Sequence, residues 1–333
     1  MIKKQLRTKL LALTLPMVIV PIMLFGWISS EQIVSIAHDN IEKNISSYAN
    51  QTQGLLEKAV SVGLSNVELF AQHDLVNQYA LASENERYNL LHPILLNVFH
   101  AFNNAYPEYT EIRFILPDGY EDVRYSNDEH NISEEELNHP AIEQLHRLQV
   151  SSTFLFSVNP DNQKPVIYFA RSITLNNFAS DNYGTKPILR GYLLLTTSLD
   201  ELQQHLNQMA EDSQMLFMLV DQQQNPLLMS QVTKITNSPF NTLPIAQLAQ
   251  AIKESNPQGN GAKKYDHHQL DFMLDIYDVQ TYPLNDNYSL NAVYQQSLYL
   301  QDGANVQKIL LILIVLSIII LTVLLVFGLK RFV

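Results

Sequence analysis

The first pattern along the chain is a run of apolar residues from Leu10 to Ser30 without a charged side chain, matched near the other end by Ile309 to Leu329. As helices, 21 residues rise about 31 Å, the thickness of bilayer hydrocarbon, so both runs read as membrane spans. Beyond Trp27, apolar or small positions recur at Ile33, Ala37, Ile41, Ile45, Tyr48, Thr52, Leu55, Ala59, Val62 and Val67. Spacings of mostly three and four place these on one helical stripe, so the first span is expected to continue as a long helix to about Phe70. The stripe packs on its own domain, or also on a second copy of the chain. Serine followed three residues later by glutamate, at Ser83/Glu86, Ser133/Glu136 and Ser198/Glu201, has capping-box spacing and predicts helices over 84–105, 134–148 and 199–210.

Between these helices the period becomes that of strands. The segments 111–116 and 120–125 flank Pro117-Asp118-Gly119 and read as a hairpin, followed by strands over 151–158, 165–174 and 189–198. A shorter version of the plan follows: strands over 215–221 and 226–230, a helix over 243–254, then strands over 263–265, 270–277 and 288–294. Phe114 to Gly119 and Phe217 to Gln222 are both apolar strands running into an Asp-bearing turn, which points to an internal duplication. The fold class expected is α+β, with two modules of five antiparallel strands on a long N-terminal helix.

Charge fixes the orientation. Lys3, Lys4, Arg7 and Lys9 precede the first run, Lys330 and Arg331 follow the second, and neither tail holds an acid, so both ends are expected in the cytoplasm. The 278 residues between hold all 33 acids and 15 of the 21 bases, a net of -18. Such a balance excludes a nucleic-acid partner that needs a basic face. A cleavable leader shares the basic start, but the apolar run exceeds the usual core of about 7–15 residues and no clear small-x-small cleavage site follows it. With no cysteine there is no disulfide and no thiolate metal site or nucleophile. The Asn-x-Ser sequons at Asn44, Asn131 and Asn287 are expected chance matches in a chain rich in Asn and Ser.

The order of these parts resembles the double Cache sensor domain of bacterial receptors. The resemblance is carried by Pro107-Glu108-Tyr109-Thr110-Glu111-Ile112-Arg113-Phe114, by Asp118-Gly119 with Val123-Arg124, by Lys164-Pro165-Val166-Ile167-Tyr168-Phe169-Ala170-Arg171, and by Gly191 to Leu195 running into Ser198 to Leu202. It implies a division into a cytoplasmic tail (1–9), a span (10–30), a long periplasmic helix (31–75), a membrane-distal PAS-like Cache module (76–212), a proximal PAS-like module (213–307), a second span (308–329) and a cytoplasmic stub (330–333). It further implies an inner-membrane receptor, with residues 31–308 periplasmic. A homodimer would take a small-molecule ligand in the distal module and signal through the second span to a cyclase, a kinase or a chemotaxis output. The Arg-x-Trp-Tyr element of the amino-acid-binding branch is absent, the single tryptophan being Trp27. No output signature fits in Lys330 to Val333, so the chain itself is expected not to be an enzyme and to need no cofactor. The rival reading is a membrane-anchored scaffold with a large periplasmic domain and no ligand. A chain-length regulator of that kind tends to carry prolines in its second span, and Ile309 to Leu329 has none.

Arg113, Arg124 and Arg171 lie on or beside strands, and a guanidinium can hold a carboxylate through two parallel hydrogen bonds, which would suit an anionic ligand. Each could instead pair with a local acid such as Glu111, Asp118 or Asp122. Tyr125 and Tyr168 could wall a pocket or simply pack in the core. Alternation puts Arg113 and Phe114 on opposite sheet faces. His267-His268 beside Asp266 and Asp271 is not read as a metal site, because successive strand residues diverge. No Gly-x-Ser-x-Gly elbow or phosphate-binding glycine loop is present.

Overall fold

The computed structural model describes residues 2–127, 139–160, 162–176, 187–231, 240, 244–255, 266–272, 275–284, 287–295, 308–309, 311–320, 323 and 327, with only a few side chains described before residue 39. Its spine is α1 (Ile2–Ala71), which runs through Pro16 and Pro21 without a break. Ile41, Ile45, Ala49, Thr52, Leu56, Val67 and Phe70 are buried along it. Ala59 and Val62, expected on the stripe, are instead exposed. There the buried line passes through Gly63, where α1 crosses the first sheet.

After α1 come α2 (Asp74–Leu81), a single turn α3 (Glu84–Glu86), a π-helical turn (Arg87–Leu91) and α4 (His92–Ala105). The capping box forms as expected: Glu86 accepts from the Ser83 amide at 3.0 Å and from its hydroxyl at 2.8 Å. The helix expected as one piece over 84–105 is interrupted by that π turn. Ser198 does not cap in the box manner, since its Oγ accepts from the Asp200 amide two residues on. The Ser133/Glu136 pair lies outside the described residues.

The first sheet contains β1 (Tyr109–Ile115), β2 (Glu121–Ser126), β3 (Ser152–Val158), β4 (Pro165–Leu175) and β5 (Ile188–Ser198), in the order β2-β1-β5-β4-β3. Helix α5 (Pro140–Leu148) lies against β3 and β4, and α6 (Asp200–Ser213) leads to the second sheet. That sheet comprises β6 (Leu216–Asp221), β7 (Pro226–Met229), β8 (Asp266–Phe272), β9 (Asp275–Pro283) and β10 (Tyr288–Gln295), with α7 (Ile245–Ser255) between β7 and β8. Its order, β7-β6-β10-β9-β8, repeats that of the first strand for strand, and every neighbouring pair in both sheets is antiparallel. The two Asp turns that suggested duplication follow the equivalent strands β1 and β6. Asp118 accepts from the Tyr120 amide at 3.1 Å before Gly119 at φ 91°, and Asp221 accepts from the Asn225 amide at 2.8 Å. One expectation is corrected. The strand placed over 270–277 straddles a reversal, because β8 and β9 pair with each other from Asp266↔Thr281 to Phe272↔Asp275. The strand placed over 263–265 lies outside the described residues.

One apolar core joins the modules, with α1 lying against both sheets. Phe156 of β3 meets Tyr288 of β10 edge-on at 4.7 Å, and Tyr48 of α1 meets Phe217 of β6 at 5.7 Å. At Gly63 a Cβ would collide with the ring of buried Phe169. Gly63→Ala therefore gains about 1 kcal/mol of helix propensity but overpacks a site where such insertions cost about 1–3 kcal/mol. Gly54, on the same helix, has nothing near its missing Cβ. Thermal melts should show Gly54→Ala raising the midpoint and Gly63→Ala lowering it; equal shifts would contradict this close helix–sheet contact.

Candidate functional site

Cross-strand register sorts the predicted site residues onto two faces. On β1, Glu111 opposes Thr196, which opposes Tyr168, and Arg113 opposes both Arg124 on β2 and Leu194 on β5. Glu111, Arg113, Arg124, Tyr168 and Thr196 thus share the face turned away from α1, under α5. Tyr125 pairs with Ile112, and Arg171 with Leu193, so these two occupy the face toward α1. There Arg171 forms an ion pair with Glu68 of α1. The Tyr125 ring lies 5.6 Å from His100 of α4, and its hydroxyl donates to Asn127 at 3.1 Å. The structure brings Arg113, Arg124 and Tyr168 together and leaves Tyr125 and Arg171 on the other side of the sheet.

The outer face holds a charge cluster with a buried centre and a half-buried edge. Arg113 and Glu111 are each 2% exposed and joined through Nε and Nη2 onto Oε2. Arg113 Nη1 also donates to Glu121 at 3.2 Å, and Arg124 Nη2 reaches Glu111 Oε1 at 3.2 Å and lies near Glu121 through Nη1 at 3.9 Å. Asn159 Nδ2 and Thr196 Oγ1 also donate to Glu111, at 3.2 and 3.4 Å. Two carboxylates thus face two guanidiniums. Burial pushes the Glu111 carboxyl up, but Arg113 above all, then Arg124 and Asn159, hold it below the usual carboxylate range. For Glu121 burial outweighs the same arginines and the carboxyl titrates higher than normal. Arg113 stays protonated, its loss of water offset by Glu111 and Glu121.

His139, just before α5, is 1% exposed, and its Nδ1 accepts from the Ala141 amide at 3.2 Å, capping the helix. Its ring stands perpendicular to Tyr168, 4.5 Å away. Burial first, and Arg113 next, push its pKa down to about 3, so the imidazole is neutral and able to accept. Further along the same face, Leu145 and His146 of α5 with Ser172, Thr174, Leu189 and Tyr192 line an open pocket of about 250 Å³, where His146 Nε2 lies 2.8 Å from the Tyr192 hydroxyl. The equivalent face of the second sheet carries a buried amide pair, Asn291 donating to Gln224 at 3.0 Å. Among the described residues no group of acids and histidines is arranged to hold a metal, and no helix is long and apolar enough to cross a membrane.

Sequence reasoning passed over His139, Asn159 and Thr196. His139 had a signal, since a side chain able to accept, placed just before a proline at the first helical position, is an N-terminal cap pattern. Asn159 and Thr196 had none, because their place in the cluster depends on strand order.

Two sheets of identical strand order threaded on one helix make this the fold of double Cache sensor domains. In particular it is similar to the ligand-binding domain of the Campylobacter jejuni chemoreceptor Tlp3 in complex with 4-methylisoleucine, at TM-score 0.51 and 14% identity over 79% of this chain and 94% of that one. The ligand-binding domain of Mlp24 with asparagine superposes at TM-score 0.52 and 13% identity, over 83% and 98% of the two chains. The sensor domain of the V. cholerae histidine kinase DctB superposes at 0.51 and 14%, over 80% and 99%. No protein-family model matches the sequence, and no curated protein matches it.

Proposed function

We propose that this chain is the extracytoplasmic sensory part of a bacterial inner-membrane receptor, binding a small solute on the outer face of its distal module. The observation that carries the reading is α1. This single helix contains the apolar run Leu10–Ser30 and packs on both sheets, so a shift of the distal sheet is a shift of the helix. Near the other end, Leu311, Ile312, Leu313, Val315, Leu316, Ile319 and Ile320 are each about half exposed or more, an apolar surface that supports a second span through lipid. Basic residues outside both runs favour cytoplasmic ends.

In this reading Arg113, Arg124 and Tyr168 form the floor of the site and α5 its cover. Arg171 and Tyr125 act from the inner face, tying β4 and β2 to α1 and α4. Solute binding changes the lie of the sheet on α1, and the second span passes the change to a cytoplasmic output such as a cyclase or kinase. The solute must favour one arrangement over the other, since equal affinity shifts nothing. Exposed Ile36, Val62 and Leu69 on α1 support pairing with a second copy. The ligands named for Tlp3 and Mlp24 make amino acids the first solutes to try. The test is a thermal-shift panel of amino acids, carboxylates and other small metabolites on the full chain in detergent: at least one member should raise the midpoint. A well-folded protein that none of them shifts would contradict solute sensing.

A further inference from the structure

Among the described residues the carboxylate of Glu111 receives donors from four segments, including Arg113 Nε and Nη2 from β1, Arg124 Nη2 from β2, Asn159 Nδ2 from the β3–β4 connection and Thr196 Oγ1 from β5. A surface glutamate on a strand needs water and at most one partner. A side-on guanidinium with both donors on one oxygen, a second guanidinium on the other oxygen and two neutral donors form an arrangement with which a protein can grip the carboxylate of a ligand. Both Glu111 and Arg113 are buried, so the donors gain full strength from the low dielectric and would be costly to leave unmade.

We propose that these groups form a carboxylate-binding site whose occupant is the chain's own Glu111 side chain, and that cutting this side chain back opens the site to a small free monocarboxylate such as acetate. In the intact chain Arg113 is then already engaged, and an external anion does not reach it without expelling Glu111. A solute on this face then rests over Arg113 and is held through Arg124, Tyr168 and the groups around the cluster. This goes beyond the sensory reading and does not depend on it: failure of the solute panel on the wild type would leave it standing, and its own failure would leave the panel standing.

The experiment compares melts of the full chain in detergent, in sodium chloride and in sodium acetate at equal ionic strength. Glu111→Ala should melt well below wild type in chloride and recover by at least about 3 °C in acetate, as expected when a ligand binds only the folded state. If Glu111→Ala does not fold in chloride, the refolded yield in acetate relative to chloride is the readout. Glu111→Gln, which keeps the volume of the side chain in place, should show no acetate-specific gain, and neither should wild type. Cyclohexanecarboxylate, too large for the space left by one side chain, should not replace acetate. An acetate response absent from Glu111→Ala, or equally large in wild type or Glu111→Gln, overturns the proposal.

Discussion

Arg113→Met is expected to cost about 3–5 kcal/mol of stability, the usual penalty for removing one member of a buried ion pair. The expense comes less from the lost attraction than from what remains. Glu111 keeps its charge 2% exposed, with Arg124, Asn159 and Thr196 to hold it, while Glu121 loses its 3.2 Å partner. Arg124→Met should cost clearly less, because its side chain is 14% exposed and Glu111 retains both Arg113 donors on Oε2. Replacing Glu111 and Arg113 together by Leu and Met should restore much of the loss, since a well-packed apolar pair avoids the desolvation of both charges. Denaturant melts of the three variants check this. A double replacement as unstable as Arg113→Met alone would show that the cluster is not held as a compensated pair.

Acid should loosen the outer face through His139. Its folded pKa, about 3, lies below the ordinary histidine value near 6.5, so the unfolded chain takes the proton first. The stabilisation is whole above pH 6.5 and is lost as pH falls from there toward 3, at up to about 1.4 kcal/mol per pH unit, or about 2 kcal/mol by pH 5. Protonation would also remove the lone pair on Nδ1 that accepts from the Ala141 amide, releasing the start of α5. His139→Asn keeps a side-chain acceptor at the cap and carries no titrating group. Melts from pH 7.5 to 5 should fall less steeply for His139→Asn than for wild type. Parallel curves would mean that His139 does not set the acid dependence of this face.

The fold was legible because its parts obey local rules. Three- and four-residue spacings along α1, the Pro117-Asp118-Gly119 turn and the Asp turn after β6 each act within a few residues, and their order leads to two similar modules. The drift of the buried line at Ala59 and Val62 was not legible, since it follows from where the helix crosses the sheet at Gly63. The 270–277 strand was misplaced because Leu270, Phe272, Ile276 and Tyr277 form an apolar run across a reversal that no glycine or proline marks. Of the candidate site, the period of two already separates Arg124 from Tyr125 and Tyr168 from Arg171, and puts Glu111 beside Arg113. What alternation does not supply is which strands adjoin. The order β2-β1-β5-β4-β3 sets Arg124 and Thr196 on either side of β1 and turns three separate positions into one cluster.

The central claim is that a small solute is received on the outer face of the distal module and felt by α1. Amide hydrogen exchange on the full chain, with and without a solute that raises its melting midpoint, tests it most directly. Added protection is expected in α5, β4 and β5, together with a change in the α1 segment around Gly63 and Glu68. Protection confined to β6–β10, with the first sheet and α1 unchanged, would contradict it.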